Sequence, residues 1–181
     1  YRFDHQFNGE VVSEALQPHL QGKSSYKGLH FPAHDIPAQA RALYVRNRSR
    51  FIADVDFEVV EMYPSSLLED ESGRRAEVDL SDCKLRSVSP MHLQYLRNMG
   101  VEASMSVSIV VDDRLWGLLV CHHINEPCYP NHFLRRACEL IGANLSLQVE
   151  SAMREEEVKS LLSAHSLLGG LGYMPAQAFF Q

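Results

Sequence analysis

The stretch that most limits the fold of this chain runs from Ser104 to His123. Ser104-Met-Ser-Val-Ser-Ile-Val-Val alternates polar with apolar side chains, Asp112-Asp113 follows, and Leu115-Trp-Gly-Leu-Leu-Val-Cys-His-His returns as an apolar run. Alternation with period two marks a strand with two unlike faces, and a short polar break between two such runs is a turn. The pattern therefore predicts a β-hairpin whose second strand is buried. Its first strand places Ser104, Ser106 and Ser108 on one face and Met105, Val107 and Ile109 on the other. Either the serines are a solvated face opposite a core of helices, or they are a wall of hydroxyls for a ligand's oxygens. Taken alone, the pattern favours the solvated face.

Around the hairpin the chain reads as one mixed α/β (α+β) domain. Tyr1–Phe3 resembles the end of a strand whose beginning is missing, and a second strand is expected over Gly9–Ala15, with loop from Pro18 to Gly28. In Phe31-Pro-Ala-His-Asp-Ile-Pro, the prolines at 32 and 37 bias the residues before them towards extended geometry, which predicts a stiff kink at His34-Asp35-Ile36 rather than a helical turn. Pro37 then suits the first position of a helix that carries Ala40, Leu43 and Tyr44 on one face. An acid on such a kink can be aimed into a pocket, but the local sequence favours a simpler role for Asp35 as the helix cap. Arg46, Arg48 and Arg50 alternate into a strand at Phe51–Val55, and the polar, acidic residues 64–84 are too long for a simple connection, so they are an insertion or functional loop. Leu93, Leu96 and Met99 define a short helix closed by Gly100. From His132 on, Leu134, Cys138, Ile141, Leu145 and Val149 recur at helical spacing, and alternating charge carries the helix through Lys159. A helix of that length suits packing against another helix or a second subunit. No pattern emerges beyond Gly169-Gly170.

Composition narrows the function classes. The 181 residues are 45% hydrophobic and 22% charged, as expected of a globular domain, and the net charge of −6 argues against a nucleic-acid groove or an anionic membrane as partner. No apolar run approaches a membrane span and no signal peptide is visible; Cys83, Cys121, Cys128 and Cys138 are too irregularly spaced for a disulfide framework and fit a reducing cytoplasm. Arg50 and Arg86 each begin an apolar segment, where planar guanidiniums suit an anionic ligand, although surface ion pairing is the commoner use. His92 and His122 are imidazoles able to donate and accept at once. Cys121-His122-His123 with Cys128 matches no tetrahedral zinc spacing, and neighbouring strand residues face opposite ways. There is no Gly-x-Ser-x-Gly elbow, no phosphate-cradling loop and no nucleophile that can be named, so an enzyme is not indicated.

Three segments in order, Phe31-Pro-Ala-His-Asp-Ile-Pro, Leu85-Arg-Ser-Val-Ser-Pro-Met-His-Leu-Gln-Tyr-Leu-Arg-Asn-Met-Gly and Leu115-Trp-Gly-Leu-Leu-Val-Cys-His-His, resemble the chromophore-binding GAF domain of bacterial phytochromes. The resemblance implies an antiparallel sheet flanked by helices over residues 1–150, with its N-terminal strand cut short. Residues 151–181 then form a linker helix and tail towards a following sensory domain. It implies a linear tetrapyrrole in a cleft, with Asp35 organising the pyrrole nitrogens, His92 over the inner rings and His122 on the outermost ring's carbonyl. Arg50 and Arg86 would hold the propionates, with Ser89, Ser104 and Ser106 as hydroxyl partners. Tyr1, Phe31, Tyr44 and Tyr95 would surround the ring that rotates on photoisomerisation, with Ile36 beside the acid.

Met91 stands where plant-type phytochromes carry their linking cysteine, which points to biliverdin. The anchor cysteine of biliverdin-binding relatives precedes the GAF domain and is not in this chain, so the resemblance implies no covalent attachment by that route and leaves non-covalent contacts to hold the pigment. His34 replaces a residue that is usually small and polar. The insertion at 64–84 corresponds to the loop that forms a knot with the N-terminal segment in the family, and without that segment it is expected to be loose. Red or far-red sensing, homodimerisation through the C-terminal helix and signalling to an output module, often a histidine kinase, are further implications. The rival reading is a non-photoactive GAF module, dimerising or structural, with an empty or repurposed pocket.

Overall fold

The computed structural model of the chain describes residues 1–20, 25–61, 63 and 78–171. Its strands are β1 (Arg2–Phe3), β2 (Gly9–Glu10), β3 (His30–Phe31), β4 (Ser49–Ile52), β5 (Ala103–Val111) and β6 (Arg114–His123), and its helices are α1 (Ala38–Arg46), α2 (Pro90–Asn98) and α3 (His132–Leu171). The strands form one six-stranded sheet in the order β3-β2-β1-β6-β5-β4, with every pairing antiparallel. No helix among the described residues is long and apolar enough to cross a membrane.

The expected hairpin is β5–β6. Asp112 and Asp113 take φ of 47° and 56°, the left-handed pair of a tight turn whose twist matches that of the strands it joins. Burial of β6 is narrower than its apolar sequence predicts. Leu115 and Leu118 are buried, but Val120 is exposed and His122 only half-buried, because the sheet face that carries them is open there. The strand expected over Gly9–Ala15 pairs only at Gly9–Glu10, and the one expected over Phe51–Val55 is shifted to Ser49–Ile52. α2 starts at Pro90, and Gly100 beyond its end takes φ of +70°. Of the insertion at 64–84, residues 64–77 lie outside the described residues, as do 172–181 of the tail.

Cross-strand partners share a face, so the register sorts the side chains. Ser104 opposes His122 and Ile52, Ser106 opposes Val120 and Arg50, and Ser108 opposes Leu118. This face meets α1, because the Ser108 hydroxyl donates to Tyr44 O at 2.7 Å. It also meets α2 through a buried cluster of Ile52, Val55, Leu93, Leu96 and Val101. A second cluster, Phe3, Val110, Leu115 and Leu118, takes in Ile36 and Tyr44 from the side of α1. The serines are thus not a solvated face: Ser106 and Ser108 are buried at 7% and 1% exposure.

The opposite face meets α3, and it does so through small and polar residues. A side chain at Gly142 would collide with the Val107 methyl, so the helix backbone lies directly on β5. The Ser146 hydroxyl donates to Gly142 O at 2.8 Å and accepts from Val110 N at 3.0 Å, beside the register shift between Ile109 and Val110. The apolar stripe of α3 is therefore turned outward in part: Leu134 and Ile141 are 49% and 52% exposed. Phe133, Leu140 and Leu147 are exposed as well. Close approach of the helix leaves room for Gly142 and Ser146 but not for leucines.

Ser146→Ala strands the Val110 N–H in a buried position. Its unfolding free energy in urea is expected to fall by about 1–3 kcal/mol, the usual cost of a buried donor without a partner. An unchanged transition would mean that this amide is satisfied otherwise.

Candidate functional site

Between the two apolar clusters, the α1/α2 face of the sheet turns polar, and the sequence-predicted site residues gather there. The kink at its edge is built differently from expectation. Ala33–Asp35 forms a 3-10 turn, with Asp35 N donating to Pro32 O at 3.0 Å, and only Ile36 is extended. Pro37 is the N-cap of α1 rather than its first residue, and no side chain caps that helix, so Asp35 is not the cap. Its carboxylate lies 3.4 Å from the exposed His34 ring and keeps 26% of its side-chain surface exposed.

Arg41, which the sequence did not single out, braces the turn. Its guanidinium donates to Ala33 O at 3.1 Å and Ile36 O at 2.5 Å, and it stacks 4.3 Å over the Phe7 ring. Ala33 N in turn donates to the Asn8 side chain at 3.2 Å.

Aromatic groups line the Asp35 end. The Tyr1 ring lies 5.0 Å from Phe3 and 6.0 Å from Phe31, and it occupies the space that a side chain at Gly9 would need. Burial, then the charges of Tyr95 and Asp35, push the Tyr1 phenol up to about 12. Burial, then Asp35 and Tyr26, raise the Tyr95 phenol too. Tyr1 is thus within electrostatic reach of Tyr95 and Asp35, and Tyr95 within reach of Asp35 and Tyr26.

Tyr26 also meets His122 edge-on at 6.3 Å. Its loop is held by Glu14, which accepts from Tyr26 N at 2.9 Å and from the Ser25 hydroxyl. Nothing periodic flagged Tyr26, since it lies in a stretch whose turn residues mark only a loop; an aromatic side chain within that turn was the available signal.

The histidines come next. His92 stacks with Tyr95 at 6.3 Å. Burial, then Arg50, lowers the His92 pKa, while burial, then His92, lowers that of His122. Both imidazoles are therefore held neutral, each with one nitrogen to donate and one to accept.

At the far end lie the two arginines. Arg50 donates to Ser87 O at 3.0 Å, and Arg86 donates to Ser81 O at 2.7 Å. Burial, then Arg86, lowers the pKa of Arg50, so the two cations are close enough to oppose one another. Among the described residues neither pairs with a carboxylate, whereas Arg2, Arg46, Arg97, Arg136 and Arg154 all do. Surface ion pairing, the commoner use of such residues, is not what this pair does with the described acids.

Ser104 and Ser106 stand beside His122 and Arg50 in the register. Ile36 and Tyr44 pack against the second cluster. Ser89 is exposed at the N-cap of α2, and its hydroxyl does not cap the helix. In chemical terms this face of the sheet offers two cations without acids among the described residues, two imidazoles, hydroxyls and an aromatic end with one carboxylate.

Comparison with known proteins shows which families the chain resembles. Residues 24–153 match the GAF domain family. The chain is 48% identical over 163 residues to a bacteriophytochrome of Xanthomonas campestris pv. campestris, covering 87% of this chain and 24% of the relative. It is 50% identical over 130 residues to a bacteriophytochrome of Pseudomonas aeruginosa, covering 72% and 17%. The chain thus spans about a quarter or less of the length of these relatives. Among solved structures, the chromophore-binding domain of a bacteriophytochrome from R. palustris superposes with a TM-score of 0.76 at 40% identity, covering 86% of this chain and 49% of that one. The chromophore-binding domain of Stigmatella aurantiaca phytochrome P1 gives a TM-score of 0.70 at 44% identity, covering 81% and 45%. The chain belongs to the GAF domain family, with bacteriophytochromes among its relatives.

Proposed function

We propose that this face of the sheet forms a cleft for a linear tetrapyrrole, biliverdin, and that the chain is the light-sensing module of a red/far-red photoreceptor. The observation that carries the reading is the adjacent Arg50 and Arg86 pair, partly buried with no acid among the described residues. Two guanidiniums held that way are unfavourable unless an anion joins them, and a ligand with two carboxylates supplies one for each. The neutral His92 and His122 and the aromatic end suit a long, flat ligand whose ends differ in polarity. Solved relatives described as chromophore-binding domains support the same reading.

When bound, the pigment supplies a double bond that light isomerises. The residues of this chain do the rest. Arg50 and Arg86 grip the propionates, with Ser89, Ser104 and Ser106 as further donors. Asp35 accepts from the pyrrole N–H groups, and His92 packs over the inner rings. His122 donates to the outermost carbonyl. Tyr1, Phe31, Tyr44 and Tyr95, with Ile36, shape the space around the ring that turns. Met91 carries no thiol and its side chain is largely exposed, so α2 offers no covalent anchor there. The reading gives the chain a cytoplasmic, non-catalytic role. Residues 1–150 form the pigment-binding domain, and the helix from 151 on leads to a following domain.

Mixing the purified chain with biliverdin is expected to produce a red absorption band, and Asp35→Ala or His122→Ala to diminish or shift it. A colourless mixture, or a band indifferent to both substitutions, would falsify the proposal.

The exposed stripe of α3 supports a homodimer. Phe133, Leu140, Leu147, Val158 and Leu161 are 82%, 71%, 66%, 53% and 65% exposed, an apolar helix face of a kind that a second copy covers. Light scattering at micromolar concentration is expected to give twice the chain mass with or without pigment, and Leu140→Glu with Leu147→Glu to give monomers. A wild-type monomer would overturn the dimer.

A further inference from the structure

Glu139 lies on the back of the sheet, away from the cleft, yet it touches both segments that carry the cleft's cations. Its Oε1 accepts from the Ser49 hydroxyl at 2.5 Å and pairs with Lys84, and its Oε2 pairs with Arg136 at 2.6 Å. Burial pushes its pKa up, but the bonds from Lys84 and Ser49 outweigh this and leave it below the usual range. A charged carboxylate 15% exposed thus sits where two chain segments cross α3.

Strand geometry explains why this matters for the opposite face. Ser49 and Arg50 are consecutive on β4, so one points to α3 and the other to the cleft. Lys84 precedes Arg86 by two residues, in a segment that has neither helix nor strand. That segment supplies the carbonyls that receive both guanidiniums, Ser81 O for Arg86 and Ser87 O for Arg50. Among the described residues its only backbone-to-backbone bond is the local one from Cys83 N to Leu80 O, so side-chain ties place it: Lys84 to Glu139, Arg46 to Asp82, and Asn47 to Ser81 O. Two neighbouring cations tend to splay apart, and only a fixed segment can hold them parallel.

We propose that Glu139 is a positioning residue for Arg50 and Arg86. Through Ser49 and Lys84 it sets the spacing of the two guanidiniums so that a ligand bearing two carboxylates meets both at once. The inference rests on the biliverdin reading of the cleft and deepens it. Pre-organisation of this kind raises affinity for the doubly charged ligand without touching it. By linkage, a ligand on the arginines also favours the docked position of α3.

The test compares biliverdin with its dimethyl ester, which has the same rings but no carboxylate charge. Wild type is expected to bind the free acid more tightly than the ester. Glu139→Gln keeps the shape and the bond from Ser49 but loses the pairing with Lys84, and it is expected to cut this preference about tenfold, chiefly by weakening the acid. Lys84→Met, on the more exposed side of the pair, is expected to do the same, and the double variant to be no worse than either single one. Lys84→Met carries the test if Glu139→Gln does not fold. A preference unchanged in both variants, or both pigments weakened equally, overturns the positioning role while leaving biliverdin binding in place. A wild-type chain that binds the ester as tightly as the acid overturns the propionate reading and the positioning role with it.

Discussion

The ladder between β5 and β6 governs this molecule. It pairs nine positions of β5, from Ala103 to Val111, with β6, and so assigns each side chain in the middle of the sheet to one of two sides. A slip of one residue would send Ser106 and His122 under α3 and turn Val107 into the cleft. Two features guard against that slip: the left-handed pair Asp112-Asp113 at the turn, and Ser146, which takes up the Val110 amide where the register shifts. The helix side and the ligand side are thus set by the same hydrogen bonds.

The cleft side shows local electrostatic conflict in an otherwise well-satisfied structure. No buried side-chain nitrogen or oxygen among the described residues lacks a partner. Arg50 and Arg86 nonetheless lie near one another and, among the described residues, bond only to carbonyls, and His92 and His122 are half-buried where protonation is disfavoured. A domain that needed only stability would gain by replacing these groups with apolar ones. Their retention costs folding energy and fits a site whose partner arrives from outside.

Much of this was legible in the amino-acid order, where a physical period exists to be read. The hairpin follows from alternation, α2 from its apolar spacing and Pro90, and the length of α3 from its repeat. The errors fall where neighbours decide. Asp35 looks like a helix cap because the sequence does not show Arg41 reaching back to Ala33 O and Ile36 O, which fixes the turn without it. The serines look solvated because alternation gives two faces but not which one the helices cover. The repeat of α3 does not show which side meets the sheet, because Gly142 brings the backbone so close to β5 that small residues take the inner side. Tyr26 had no pattern at all, being held in place by Glu14 from across a loop.

The rest of α3 has a mechanical meaning. Its contact with the sheet ends at Arg154, which reaches Asp112 at the hairpin turn, while the helix runs on to Leu171, a projection of roughly 25 Å at about 1.5 Å per residue. Anchored at one end by Glu139, Gly142 and Ser146, such a rod is a lever with a short inner arm and a long outer one. A tilt of a few degrees at the sheet, too small to break a single bond there, sweeps its far tip through one or two ångströms.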